Sequence, residues 1–274
     1  MMELRDYHVH LEQGPYTVEW VKKFLEEGKK RSVEEIGFSE HCYRFYQAKH
    51  LWRSDGPRGR WHEERATKDI EEYIKLVEDA KKQGFPIKLG IEVDYIPEWE
   101  DEIKYFVSFY PFDYVIGAVH WLGDFGFDNP DFMSEWESRD IYKTYIEYFE
   151  VLTNAIFSGI FDIIAHIDVI KVFGHKTEKD LSPIYQKVAK AMQKSKVCAE
   201  VSTAGLRKPV GEIYPSPDIM IQLKNYEIPL IINSDAHRPE DVGRDFDKAL
   251  EYVRSFGFKN LCYFEKRKSF FYKI

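Results

Sequence analysis

Six of the nine histidines in this chain stand in five short blocks: DYHVH at residues 6–10, GFSEH at 37–41, GAVHW at 117–121, IIAHID at 163–168 and INSDAH at 232–237. A sixth block, GIEVDY at 90–95, carries Glu92 at the matching place. Imidazole nitrogens and carboxylate oxygens are ligands for zinc, iron and manganese. Residues two apart on a strand point the same way, so His8 and His10 can grip one ion together. Asp235 and His237 repeat that spacing near the end of the chain. Singly, each of these residues would be an ordinary hydrogen-bonded core side chain. Together, left uncompensated, they would bury many polar groups at a few kcal/mol each. A metal cluster is the economical explanation. His50, His62 and His175 lie outside the pattern: His175 reads as a surface residue, and the other two lie in or beside a basic loop.

Such a cluster needs elements that bring distant blocks to one place. Short runs rich in Val, Ile, Phe and Tyr predict strands at 5–10, 35–41, 87–95, 114–121, 161–167, 197–203 and 229–235, with a further run near 260–264. Charged periodic stretches predict helices at 18–31, 63–83, 139–157, 179–194 and 239–256. Strand and helix alternating about seven times is the pattern of a parallel α/β fold. In a parallel barrel the C-terminal strand ends converge on one mouth, and every block above closes or follows a predicted strand.

A length of 274 residues suits one α/β barrel, and no Gly/Ser linker or fixed-period repeat divides it, so one domain over 1–274 is expected. The net charge of −8 counts against a nucleic-acid backbone as partner. Three cysteines without paired spacing predict no disulfide and a cytoplasmic setting; no signal peptide or bilayer-length apolar run is seen. Nothing in the pattern fixes an oligomeric state. The longest stretch without periodicity, 43–61, holds five basic residues and one acidic one, and reads either as a solvated insertion or as a cover over substrate.

These blocks, in this order and spacing, resemble the polymerase-and-histidinol-phosphatase superfamily over nearly the whole chain. EVSTAGLRKP at 200–209 and EIYPS at 212–216 are similar to its histidinol-phosphate phosphatase branch. The resemblance implies a distorted (β/α)7 barrel holding two or three divalent ions of zinc, manganese or iron. It implies a first ion held by His8, His10, Glu92 and Asp235, and a second by Glu92, His120 and His166. His41 and His237 would hold the third. Relatives supply that third ion with a further histidine shortly after HxH; here the segment is LEQGPYT, and Glu12 is the substitute expected, ahead of Tyr16.

The chemistry implied is hydrolysis of a small phosphate monoester, L-histidinol phosphate above all. A water shared by two ions would lose its proton near neutral pH and attack phosphorus. Glu92, Asp235 and His237 are the expected catalytic groups, the last two as proton sources for the departing alkoxide. Arg207 and Lys208, with Arg44 behind them, are the expected phosphate-binding cations, arginine for its two parallel donors. The alternatives are a phosphodiesterase or exonuclease of the same superfamily, a general nucleotide phosphatase, and an inactive metal-stabilised binding domain.

Overall fold

The computed structural model describes residues 4–274. In chain order the strands are β1 (Leu4–Val9), β2 (Val33–Phe38), β3 (Ile87–Asp94), β4 (Tyr114–Ala118), a small hairpin β5 (Trp121–Leu122) and β6 (Phe125–Gly126), β7 (Ile163–Ile164), β8 (Cys198–Ser202), β9 (Leu230–Asn233), β10 (Asn260–Glu265) and β11 (Lys268–Lys273). The helices are α1 (Val18–Lys30), α2 (Pro57–Arg65), α3 (Ile70–Lys82), α4 (Glu100–Ser108), α5 (Ile141–Phe157), α6 (Ser182–Ser195), α7 (Pro217–Asn225) and α8 (Phe246–Ser255). Seven strands pair in parallel in the order β1-β2-β3-β4-β7-β8-β9. The ends of that sheet meet where Val9 bridges Ala236, with His10 N donating to Ala236 O at 2.8 Å and Ala236 N to His8 O at 3.0 Å. The expected (β/α)7 barrel is present.

Inside it, below the mouth, Tyr7 stacks on Tyr114 at 4.9 Å, packed with Ile116, Ile163 and Ile231. Tyr114 reaches across from β4 to donate its hydroxyl to Tyr7 O at 2.6 Å. Two glycines leave it room: a Cβ on Gly37 would lie 2.3 Å from the Tyr114 hydroxyl, and one on Gly90 2.2 Å from its ring. Gly90→Ala should therefore cost about 1–3 kcal/mol by overpacking, read as a fall in C_m at unchanged m in urea. An unshifted C_m would mean that the tyrosine moves freely, and the strut would lose its significance.

The differences from the sequence reading have physical causes. The predicted helix 63–83 is two helices, because Asp69 caps a new start by accepting Glu71 N at 2.8 Å. Residues 46–65 are a 3₁₀ segment (Tyr46–Trp52) and α2, with Ala48, Leu51 and Trp52 buried in the core, so 43–61 is no solvated insertion. The run near 260–264 is β10, paired with β11 rather than with the barrel; its Cys262 and Phe264 plug the barrel's lower end. There Cys262 is joined to Cys198 of β8 in a disulfide, where none was expected. Partners 64 residues apart leave no spacing signal. Among the described residues no helix is long and apolar enough to cross a membrane.

Candidate metal centre

β1 carries a register irregularity between Asp6 and Val9, so Tyr7 can face the inner core while His8 and His10 both reach the mouth. Their rings lie 5.1 Å apart, both buried. Glu92, near the end of β3, sits among the histidines. Its Oε1 is 3.3 Å from His8 Nε2 and 3.4 Å from His166 Nε2. Its Oε2 is 2.6 Å from His41 Nδ1 and 3.7 Å from His10 Nε2. Asp235 Oδ1 lies 3.6 Å from His8 Nε2, 3.4 Å from His10 Nε2 and 3.5 Å from His237 Nδ1. His120 Nε2 faces His166 Nε2 at 3.4 Å. His166 and Asp235 both hold positive φ, +22° and +51°, which turns their side chains inward just past strand ends.

Ligand atoms gather in overlapping groups: His8, His10 and Glu92; Glu92, His120 and His166; His10, His41 and His237; and His8, His166 and Asp235. Glu92 belongs to two of them. The cluster is also unsatisfied in the way a metal site is. His8 Nε2 and both ring nitrogens of His10 are buried without a hydrogen-bond partner, a cost proteins avoid unless something else fills the valence. These residues fit divalent ions.

Electrostatics agree. Burial would raise Glu92, yet His8 and His41 hold it well below the ordinary carboxylate range. Burial would raise Asp235 too, but His8 and His237 outweigh it and hold it well down. Glu40 is opposed by burial in the same way, and His10, with Nδ1 3.7 Å away, carries it to about 2. His237 goes the other way: burial and the neighbouring charges of His10 and His41 push it down to about 4, against Asp235. Its Nδ1 contacts Asp235 O at 3.1 Å, a carbonyl that can only accept, so Nδ1 carries the proton and Nε2 is left as the lone-pair nitrogen.

Buried carboxylates that sequence reasoning passed over orient these histidines. Glu200 accepts from His8 Nδ1 at 2.7 Å, Asn233 Nδ2 at 2.8 Å and His166 N at 2.8 Å. Asp94 accepts from His120 Nδ1 in a short hydrogen bond. Ring nitrogens that face ions are commonly fixed by such partners at the other nitrogen. The signal was available: Glu200 and Asp94 are charges inside otherwise apolar strand runs.

The cluster floors a cavity of about 280 Å³ walled by Tyr43, Trp61, Trp121 and Tyr214 and also lined by Lys208, Arg65 and Asp128. Of the expected phosphate-binding cations, only Lys208 lines it. Arg207 is turned away by the 3₁₀ turn Ala204–Arg207 and donates to Ser234 O at 2.5 Å, behind the strand end. Arg44 pairs with Glu12 at 2.9 Å, outside this cavity. Glu12 is thus split, its other oxygen 3.6 Å from His237 Nε2, while Tyr16 donates to Glu40 at 3.1 Å and not to the cluster. Arg65, on α2, enters the cavity in place of the two missing arginines, its guanidinium 4.0 Å over the Trp61 ring.

A parallel barrel with a histidine–carboxylate cluster at its mouth defines a class, and comparison with known proteins gives the family: the chain belongs to the PHP domain family, whose model matches residues 6–204. It is similar to the probable histidinol-phosphatase of Deinococcus radiodurans, 30% identical over 270 residues that cover 96% of this chain and 97% of that one. It is similar to the histidinol-phosphatase of Bacillus subtilis at 28% identity, covering 91% of this chain and 99% of the relative. In fold it resembles the histidinol phosphate phosphatase of Lactococcus lactis, solved with zinc, L-histidinol and phosphate (TM-score 0.75, 21% identity, 98% of this chain and all of that one).

Proposed function

We propose that this chain is a metal-dependent phosphomonoesterase that hydrolyses L-histidinol phosphate to L-histidinol and phosphate. The observation that carries it is Glu92, one buried carboxylate shared by two histidine groups with unsatisfied nitrogens, at the floor of an aromatic-walled cavity. His8, His10, Glu92 and Asp235 would hold one divalent ion, Glu92, His120 and His166 a second, and His41 and His237, with the free oxygen of Glu12, a third. Zinc, manganese and iron all suit this set. Bound ions supply an acidified water and neutralise phosphoryl charge.

The chain's own residues do the rest. Lys208 and Arg65 supply cationic donors for the phosphoryl oxygens outside the cluster. Tyr43, Trp61 and Trp121 wall off water and give a planar apolar surface to the organic half of the substrate. Asp235 Oδ1 and His237 Nδ1, 3.5 Å apart on the cavity wall, would orient the water that hands a proton to the departing alkoxide. A cavity of about 280 Å³ and a net charge of −8 favour a small monoester over a nucleic acid as partner. A cytoplasmic location is part of the same reading, since a phosphatase of small-molecule biosynthesis works where its substrate is made.

Phosphate release from L-histidinol phosphate, p-nitrophenyl phosphate, bis-p-nitrophenyl phosphate and nucleotides, with manganese or zinc added, tests this. A rate on histidinol phosphate at least about 100-fold above the others, lost in His120→Ala, is the expected result; a discrimination of that size corresponds to about 2.7 kcal/mol. Similar slow rates on every ester would retain a phosphatase and remove the histidinol assignment. A faster rate on the diester would point to a phosphodiesterase instead.

A further inference from the structure

Asp94 closes β3 and is almost wholly buried, and it meets His120 at Nδ1 rather than at the Nε2 that faces His166. One oxygen takes the Nδ1 of His120 in a short hydrogen bond. The other lies 3.5 Å from Nε2 of His62, on α2, an electrostatic contact rather than a hydrogen bond. His62 is itself held from both sides: its Nδ1 meets Arg58 O at 2.8 Å, and its ring stacks on Trp52 at 5.3 Å and 10°. Trp52 returns to the same residue, its Nε1 donating to the Asp94 carbonyl at 3.3 Å. The far side of α2 is pinned to the β5–β6 hairpin, where Arg58 donates to Gly123 O at 3.0 Å. The segment 46–65, which carries Trp61 into the cavity wall, is therefore tied to the end of β3 at Asp94 as well as to the core and the hairpin.

A carboxylate only accepts, so its bond to His120 keeps a proton on Nδ1 and makes Nε2, facing the cavity, the nitrogen that presents a lone pair once an ion displaces its proton. We infer that Asp94 is a positioning residue that couples the two halves of the site: one carboxylate sets the ligand form of His120 and seats, through His62 and Trp52, the segment that covers the substrate. This coupling rests on the assignment of His120 as a ligand made above. It means that the cover and the second ion stand or fall together, although no residue of the segment 46–65 reaches the cluster groups of ligand atoms.

The test uses the whole protein as wild type, Asp94→Asn, His62→Gln and His120→Ala. Manganese binding is followed by calorimetry, and trypsin cleavage at Arg53 and Arg60, two exposed or partly exposed sites in the segment, is followed by mass spectrometry with and without manganese. Asp94→Asn is expected to weaken one ion by about 10–100-fold, leave the others, and speed cleavage in the segment. His62→Gln, which leaves the Asp94–His120 bond in place, is expected to speed cleavage and to weaken that same ion by a smaller factor. Manganese should slow cleavage in wild type and lose that effect in both variants. Wild-type manganese affinity in Asp94→Asn would overturn the inference, and so would an ion weakened with cleavage unchanged in both variants. If Asp94→Asn fails to fold, His62→Gln decides alone, on both readouts. If His120→Ala keeps every ion, the ligand assignment itself falls; if it loses one and Asp94→Asn does not, only the coupling falls.

Discussion

Glu92→Gln is expected to lower kcat/KM for phosphate release by more than about 10³-fold, beyond the range seen when an orienting partner of a ligand is removed or a single transition-state donor is lost. The substitution keeps size and shape and removes one charge. That charge is the anion to which His8, His10, His41 and His166 are all drawn, at 2.6 to 3.7 Å. A neutral amide cannot neutralise two cations at once, and its NH2 would point a donor at histidine nitrogens that must present lone pairs. Both ion groups that share Glu92 should therefore weaken together, unlike His120→Ala, which removes a ligand from one. Metal content per chain after dialysis, measured beside the steady-state rates, separates lost ions from a misplaced substrate. A Glu92→Gln protein with full metal content and a rate within tenfold of wild type would sink the bridging role.

How much of this could be read from the residues depends on whether geometry follows from the strand itself or from what comes after it. DYHVH, GIEVDY and GAVHW were legible because a strand has a direction, a period of two and a C-terminal end. The convergence of His8, His10, Glu92, His120, His166 and Asp235 on one mouth follows from that, while the final turn of four side chains does not: β1 is irregular in register, and His166 and Asp235 take positive φ. Arg207 and Lys208 were not separable, because they leave β8 through a 3₁₀ turn. One residue of rotation there sends Lys208 into the cavity and Arg207 back onto Ser234 O. Arg65 was invisible as a site residue for a related reason: α2 was merged with α3 into one periodic stretch, although Asp69 marks the break. Glu200 and Asp94 carry a usable signal, a charge inside an apolar run, but nothing in the pattern tells a group that holds a ligand from the ligand itself. The Cys198–Cys262 pair depends on β10 folding under the barrel, a long-range packing event that no local pattern encodes.

The same buried charges make metal binding strongly dependent on pH. In the metal-free protein burial would lower His10, but its contacts with Asp235 and Glu40 outweigh that and raise it to about 9. His120 is opposed by burial as well and is carried by Asp94 and Asp128 to about 10. His8 is likewise raised, burial being outweighed by Glu200 and Glu92. At pH 7 these histidines hold protons that an ion must displace, since only the deprotonated nitrogen is a ligand. The sign follows: protons compete with ions below the raised values, so apparent affinity climbs with pH and levels off only near 9 to 10. Each displaced proton contributes about a tenfold change in affinity per pH unit in that window. His237, pushed down to about 4, is already neutral and adds nothing to the slope between pH 6 and 8. Manganese titrations at pH 6, 7 and 8, each in two buffers of different ionisation enthalpy, count the protons directly. At least one proton released per ion bound is the expected result, with affinity falling about tenfold or more for each unit of acidification. Binding that released none and kept its strength at pH 6 would mean that the histidines are neutral before the metal arrives, and that the carboxylates around them do not govern the site.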